Sequence, residues 1–155
     1  MNQNAAELAK PFVAATKHVL ATMAQLEAVP GTPYVKKDNT ATGDVSAVVG
    51  ITGDRHGSIS ISFSKKCAVA MVKNMLGDDI QNIIDDAKDA VGEVTNMISG
   101  QARAGLAQMG MAMQASTPTV IFGEGHTISH ASNTTVVAIP FATEHGDFTV
   151  EFCFE

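Results

Sequence analysis

A group of polar residues at helical spacing is the part of the sequence best placed to do chemistry. Asp89, Glu93, Asn96 and Gly100 recur at steps of three and four within the stretch Asp86–Met109, so on a helix they share one face. In a helix interior Asp, Asn and Gly each cost about 0.5–1 kcal/mol relative to Ala. Gly100 also removes a side chain where the backbone of a partner can approach. The face is therefore a candidate site, although an exposed Glu and Asn also fit ordinary helix surface.

The opposite side of the same stretch is apolar. Its hydrophobic residues also follow the period of a helix with one buried face; they are Val91, Val94, Ile98, Ala102, Leu106 and Met109. This pattern predicts a long helix that presents the polar residues outward from a core. Either Asp85 or Asp86 is expected to cap the start of the helix and to complement its dipole.

The flanking segments predict the elements that must hold this helix. A first helix is expected at Pro11–Leu26, with a start nearer Asn4 also open, and a second at Lys65–Leu76 between Ser64 as N-cap and Gly77. Alternating apolar residues and turn signals predict strands at Tyr34–Lys37, Gly43–Thr52, Ser58–Phe63, Thr119–Phe122, His126–His130, Thr134–Thr143 and Asp147–Phe154. The hairpin of the second and third strands is expected to have one wet face. The order predicts an α+β fold, an antiparallel β-sheet with helices packed on one face.

The length and charge of the chain exclude several classes of protein. Its 155 residues suit one domain with a substantial core. The net charge of −6 and the scattered lysines argue against nucleic-acid binding, which uses clustered Lys and Arg. No apolar run is long enough to span a bilayer, and the N-terminus does not have the pattern of a signal peptide. We therefore expect a cytoplasmic protein without membrane association, with Cys67 and Cys153 as reduced core residues.

Other combinations of reactive residues are weaker candidates. His126 and His130 are four apart, but on a strand their side chains stand well separated, and no further ligand lies at zinc-like spacing. No motif for a covalent nucleophile is present. The glycine-rich segments 53–57 and 123–125 predict hairpin turns, because no helix follows them directly as in a phosphate loop. We predict no metal site and no cofactor of the chain's own.

The polar residues of the long helix also fit a known pattern. Asp-x-x-x-Glu-x-x-Asn at Asp89, Glu93 and Asn96, followed by Pro118 at the opening of a strand, resembles the signature of the CheX/CheC/FliY chemotaxis phosphatases. The predicted order of helices and strands is similar to that of the CheX-type fold, so the resemblance covers nearly the whole chain. It implies a single CheX-like phosphatase domain over residues 1–155, with a CheX/CheC-like fold.

The resemblance implies a hydrolase that acts on another protein. CheX-like proteins speed the hydrolysis of the phospho-aspartate of a CheY-like response-regulator receiver domain. By motif position, Asn96 orients the attacking water and Glu93 pairs with the active-site lysine of the receiver. Asp89 and Gly100 belong to the docking face. Mg²⁺ is expected on the receiver, so this chain needs no metal.

Two functions stay open on the sequence. One is the phosphatase; the other is a binding module that docks a receiver or a flagellar switch component without accelerating hydrolysis. The presence of both Glu93 and Asn96 favours the enzyme. The first helix has no Glu-x-x-Asn around Thr16 to Met23, so a single site is expected, as in CheX, and the resemblance to CheX implies a homodimer. The sequence identifies neither the receiver nor the signalling pathway.

Overall fold

The computed structural model describes residues 4–36, 41–123, 126 and 135–154. Within these ranges the helices are α1 (Asn4–Met23), α2 (Lys65–Leu76) and α3 (Ile83–Gln108), with a short 3-10 helix at Gly77–Asp79. The strands are β1 (Val29–Pro30), β2 (Tyr34–Val35), β3 (Val45–Gly53), β4 (Gly57–Phe63), β5 (Met113–Ala115), β6 (Thr119–Phe122), β7 (Val137–Thr143) and β8 (Gly146–Phe154). All the described strands join in one antiparallel sheet.

The strands are arranged in the same way on the two sides of the centre of the sheet. β4 and β8 pair at the centre, and each forms a hairpin with the next strand outward, β3 or β7. Two short strands share each edge: β5 and β6 lie beside β3, and β1 and β2 lie beside β7. The segments α1–β4 and α3–β8 are therefore related by an approximate two-fold axis. Each segment supplies the edge strands for the hairpin of the other.

One face of the sheet and the helices enclose the hydrophobic core. Inward residues alternate along each strand, as Ile59, Ile61 and Phe63 do on β4. Phe12 of α1 stacks on Phe152 of β8, with the ring centroids 4.6 Å apart, a geometry that adds to the stabilisation from apolar burial. The predicted antiparallel sheet with helices on one face is confirmed.

Helices α1 and α3 lie in direct contact. A Cβ built on Gly105 would stand 2.9 Å from Cβ of Pro11, so glycine allows this close approach. Pro11 lies inside α1, and the helix begins at Asn4, so the earlier of the two predicted starts is confirmed. The proline removes one helical N–H. Packing against α3 holds α1 together in spite of that loss.

The prediction that the second face of the β3–β4 hairpin is exposed to water is wrong. Ser46, Ser60 and Ser62 are fully buried there. Hydrogen bonds and an ion pair satisfy part of this polar surface: Ser46 Oγ donates to Ser62 Oγ at 2.8 Å, and Lys36 Nζ lies 2.7 Å from Glu151 Oε2. The alternation of side chains along a strand shows which residues share a face of the sheet. It does not show whether other parts of the chain cover the polar face.

The edges of the sheet contain the elements that the sequence pattern missed. β1 and β5 are two and three residues long, too short to show a period of two. β2 covers only Tyr34–Val35 of the predicted Tyr34–Lys37. The strand predicted at His126–His130 lies outside the described residues apart from His126.

Candidate functional site

The helix α3 has a well-defined start. Asn82 is its N-cap, and Asn82 Oδ1 accepts hydrogen bonds from the N–H groups of Ile84 and Asp85 at 3.1 and 3.2 Å. Asp86 Oδ2 accepts in return from the N–H groups of Gln81 and Asn82 at 2.8 and 3.2 Å. The prediction of Asp85 or Asp86 as the cap is therefore wrong. Asn82 takes the position because its side chain satisfies the free N–H groups of the first turn, while Asp86 lies within the helix and reaches back.

The apolar side of α3 anchors the helix in the core. Val91, Val94, Ile98, Ala102 and Leu106 are all fully buried. Burial of an aliphatic side chain stabilises the fold by about 1.5–3 kcal/mol, so this face holds the helix firmly.

Met109, which the sequence pattern placed on the same buried stripe, is 44% exposed. The helix ends at Gln108, and Gly110 turns the chain away with a φ of 90°. Because Met109 lies beyond the end of the helix, the helical spacing does not predict its burial.

The polar side of α3 faces outward. Asp89, Glu93 and Asn96 are exposed, and Gly100 is half-buried. Neighbours three and four apart on a helix have Cβ atoms about 5–6 Å apart, so the side chains form one continuous strip. Within the described part of the chain, the side chains of Asp89, Glu93 and Asn96 form no hydrogen bond or ion pair. The strip is therefore available to another molecule.

Two cations border this strip on its sheet side. Lys88 Nζ lies 6.0 Å from the centre of the Phe122 ring. Arg103 Nη1 donates to the carbonyl of Met113 at 3.5 Å, and its Nε to Ser99 Oγ at 3.4 Å. Neither residue stands out from the sequence pattern. Their positions around the helix place them at the margin of the polar strip. That β5 and β6 lie beside this margin is seen only in the tertiary structure.

Helix α3 and strand β6 lie close together at Gly92. A Cβ at this position would lie 3.4 Å from Cγ2 of Val120, which is about the distance of an ordinary van der Waals contact. Pro118 precedes this strand, and β6 begins at Thr119, so the prediction that Pro118 opens a strand is confirmed. Just before it, Ser116 N–H donates to the carbonyl of Gly50 at 2.9 Å, while Gly50 N–H donates to Ser116 Oγ at 2.9 Å. The edge strand is thus broken between β5 and β6, next to the strip.

The rival candidates do not form sites among the described residues. His126 Nε2 lies 2.6 Å from Ser46 Oγ, and its Nδ1 is close to the carbonyl of Gly123, which are structural contacts; His130 lies outside the described ranges. Burial raises the pKa of Cys67 to about 11, so its thiol is a poor nucleophile. In the parts of the chain described, no group of three His, Cys, Asp or Glu is placed to hold a metal ion.

Every helix in the described ranges is too short or too polar to cross a bilayer.

Comparison with known proteins identifies the class. The family described as "Chemotaxis phosphatase CheX" matches residues 45–142 of this chain. A crystal structure of the chemotaxis protein CheX from Desulfovibrio desulfuricans is 68% identical, with a TM-score of 0.91 over 96% of this chain and 99% of that one. The family match spans more than half of the sequence and includes α3 with its polar strip. The chain belongs to the CheX family.

Two further relatives carry functional names. The CheY-P phosphatase CheX of Thermotoga maritima is 38% identical over 77 residues, which are 49% of this chain and 50% of that protein; the match thus spans about half the length of this relative. The CheX–CheY–BeF3–Mg²⁺ complex from Borrelia burgdorferi contains a chain 24% identical to this one, with a TM-score of 0.78 over 94% of this chain and 96% of that chain. This second likeness shows a shared fold.

Proposed function

We propose that this protein hydrolyses the phospho-aspartate of a CheY-like response-regulator receiver domain. The observation that carries the proposal is the pair Glu93 and Asn96, one turn apart, exposed and unpaired within the described chain, on a helix held by its cap and its core. The relative from Thermotoga maritima is named a CheY-P phosphatase. The structure from Borrelia burgdorferi is titled as a complex with CheY. Both names support the choice of substrate and partner.

The proposed role of Asn96 is to position the attacking water. Phosphoryl transfer asks a protein mainly for alignment and charge stabilisation, with little covalent chemistry. A carboxamide has both an acceptor and donors, so it can hold a water in line with the phosphorus while remaining neutral beside the anionic group. The rigid support of α3 limits the freedom that this side chain loses on binding, and correct orientation lowers the barrier.

The proposed role of Glu93 is electrostatic pairing with the active-site lysine of the receiver. A carboxylate next to a phosphoryl group meets like charge, which disfavours Glu93 as the base that deprotonates water. A charge-assisted hydrogen bond to an ammonium group is stronger than one between neutral groups. Glu93 therefore contributes to docking and to the arrangement of the receiver's own catalytic groups.

The remaining parts of the proposal concern docking and cofactors. Asp89 lies one turn before Glu93 and supports the docking face, and the missing side chain of Gly100 lets the receiver backbone approach. Mg²⁺ is bound by the receiver, and this chain supplies no metal ligand. We further propose, on the resemblance to CheX alone, that the protein is a cytoplasmic homodimer; light scattering after gel filtration tests its mass, and a monomer would contradict it.

The test is the decay of a phosphorylated receiver from the same genome, with and without this protein. We expect wild type to accelerate decay and Asn96→Ala to lose about 100-fold of that acceleration, because a misplaced water costs on that order. Gln101→Ala is the matched control, since Gln101 is an exposed amide on α3. Full activity in Asn96→Ala would remove Asn96 from the site.

Absence of acceleration for every receiver tested would favour the binding module. In that case the same receivers should still bind to wild type, and the proposed phosphatase would be discarded.

A further inference from the structure

We infer that Arg103 is a second anchor for the receiver on α3: it binds a carboxylate of the receiver and, together with Glu93, decides which receivers dock and in which orientation. The inference rests on the proposed function of Glu93 and Asn96. It follows from three observations on α3, namely the position of Arg103 in line with Asn96, the sparse bonding of its guanidinium group, and the open space over Gly100.

Arg103 continues the line of the polar strip beyond Gly100. It lies seven residues after Asn96, and seven residues are nearly two turns, so the two positions are within about 20° of each other around the helix. They are about 10 Å apart along its axis. Long side chains on a helix lean toward its start, and Nη2 of Arg103 lies 3.9 Å from a Cβ built on Gly100. The guanidinium group therefore points back along the strip and stands beside the space over Gly100.

The guanidinium group of Arg103 is sparsely bonded. A guanidinium group has five N–H donors, but here Nε donates to Ser99 Oγ at 3.4 Å and Nη1 to the carbonyl of Met113 at 3.5 Å. Both distances lie beyond the usual range for such bonds, which ends at about 3.2 Å. The residue is half-buried, and within the described chain no carboxylate pairs with it. A partner that supplies an anion would therefore stabilise this cation.

The ligand that fits this group best is a carboxylate. A planar guanidinium group matches the two oxygens of a carboxylate and can bind both at once. Gly100 has no side chain in the way, so an acidic side chain of the receiver can approach Nη2 over that position. The bonds to Ser99 and Met113 hold the guanidinium group about one turn away from Asn96. The carboxylate therefore belongs to the surface beside the phosphorylation site and is not the phosphoryl group itself.

The charges along the strip give docking one direction. From the start of α3 onward they are negative at Asp89 and Glu93, neutral at Asn96 and positive at Arg103. A receiver that has a lysine over Glu93 and a carboxylate over Arg103 meets an opposite charge at both places. The reverse orientation brings like charges together, and a receiver without the carboxylate leaves the guanidinium group unpaired, so both bind more weakly. Arg103 thus selects the receiver, while Asn96 acts on the water.

The experiment separates docking from hydrolysis by measuring KM and kcat for the phosphorylated receiver. We expect Arg103→Glu to raise KM at least about tenfold and to leave kcat within about twofold, because the change replaces an opposite-charge contact with a like-charge one at the interface. Arg103→Lys keeps the charge without the planar fork and should give an intermediate KM. Lys73→Glu makes the same charge change at an exposed position of α2, so it is the matched control and should leave KM unchanged.

An exchange of charges identifies the residue of the receiver. Each acidic residue on the receiver surface around the phosphorylation site is changed in turn to lysine. One of these receiver variants should bind wild type more weakly and should regain at least about tenfold in affinity with Arg103→Glu, because the exchange restores an opposite-charge pair. Failure of every such variant to regain affinity would overturn the carboxylate as the ligand.

The outcomes distinguish this inference from the proposed function. If wild type accelerates decay and Arg103→Glu has the same KM, Arg103 is not an anchor, while the site at Glu93 and Asn96 stands. A fall in kcat without a rise in KM would also overturn the inference, because the guanidinium group would then act on the phosphoryl group. An equal rise in KM from Lys73→Glu would overturn it as well, since net charge would then govern docking.

Two further cases have a defined reading. If the charge reversal lowers the melting temperature, Arg103→Gln removes the charge alone and should still raise KM with kcat almost unchanged; an unchanged KM in that variant refutes the anchor. If wild type neither binds nor dephosphorylates any receiver tested, the proposed function fails and this inference fails with it.

Discussion

The two residues proposed to do the chemistry differ in one respect from the polar residues of the sheet. Ser46, Ser62, Lys36 and Glu151 are buried and bonded to other parts of the chain. Glu93 and Asn96 are exposed and unpaired within the described residues. Substitutions at these two positions should therefore alter activity while leaving the free energy of unfolding almost unchanged, since surface changes of this kind are usually within about 0.5 kcal/mol.

Charge reversal at Glu93 tests the proposed pairing with the receiver's lysine. We expect Glu93→Lys to weaken binding of a beryllofluoride-activated receiver at least about tenfold, because close charge pairs across interfaces couple by about 1.5 kcal/mol or more. The loss should shrink as salt is added. Titration calorimetry at two ionic strengths measures both effects.

The control for this variant is Glu27→Lys, which makes the same charge change at an exposed position outside α3. Equal weakening by Glu27→Lys would mean that the net charge of the protein, and not Glu93 itself, governs docking. Unchanged affinity of Glu93→Lys would contradict the lysine pairing.

The sequence alone indicates the centre of the proposed site but not the residues that border it. The steps of three and four that join Asp89, Glu93 and Asn96 are a property of one helix, and no tertiary contact is needed to see them. Lys88 and Arg103 border the strip because β5 and β6 lie beside α3. That contact joins residues far apart in sequence, which periodicity along a single element does not reveal.

At the scale of elements, two glycines of α3 differ in their surroundings. Gly105 allows close packing against Pro11, where a Cβ would stand 2.9 Å from Cβ of the proline. Gly100 has no such role, since the nearest atom to a Cβ built there is Nη2 of Arg103 at 3.9 Å. A glycine at this helical position is therefore not explained by packing, and it is consistent with space reserved for a partner.

A large side chain at Gly100 should block docking without disturbing the fold. We expect Gly100→Phe to lose most of the receiver binding, because a bulky ring would stand where the partner's backbone approaches, while the melting temperature changes little. Binding to an activated receiver and thermal unfolding measure the two effects. Gln101→Phe places the same ring on the neighbouring exposed position and serves as the control. Normal binding by Gly100→Phe would show that the partner docks elsewhere.

Among the elements, the helices were predictable and the sheet edges were not. Ser64 caps α2, and Gly77 follows it with a φ of 57°, as the local sequence indicated. β1 and β5 have two and three residues, and each is a strand only because β7 or β3 supplies its hydrogen-bond partners. Their identity is a tertiary property.

At the scale of the whole molecule, the ion pair between Lys36 and Glu151 connects the end of an edge strand to the centre of the sheet. Lys36 follows β2 directly, whereas Glu151 lies on β8, and their side chains are only 6% and 0% exposed. Removing one member of a buried ion pair takes a close opposite charge away from the other, and the cost greatly exceeds that for an exposed pair.

Loss of the cation should therefore destabilise the protein strongly. We expect Lys36→Met to lower the free energy of unfolding by about 3–5 kcal/mol, measured by urea denaturation. Lys17→Met, at an exposed lysine, should change it by less than about 0.5 kcal/mol. Adding Glu151→Gln to Lys36→Met should recover part of the loss. A small effect of Lys36→Met alone would mean that the carboxylate is stabilised by its other surroundings.

The symmetrical order of the strands has a consequence for synthesis on the ribosome. β4 emerges early, yet its central neighbour β8 is made much later, and the two pair along their whole length. Until then the nascent chain carries an open strand edge next to the apolar side chains of Ile59 and Ile61, the kind of surface on which chains aggregate. Contacts so distant in sequence also slow folding. The incomplete sheet is therefore exposed to aggregation until β8 has been made and has paired with β4.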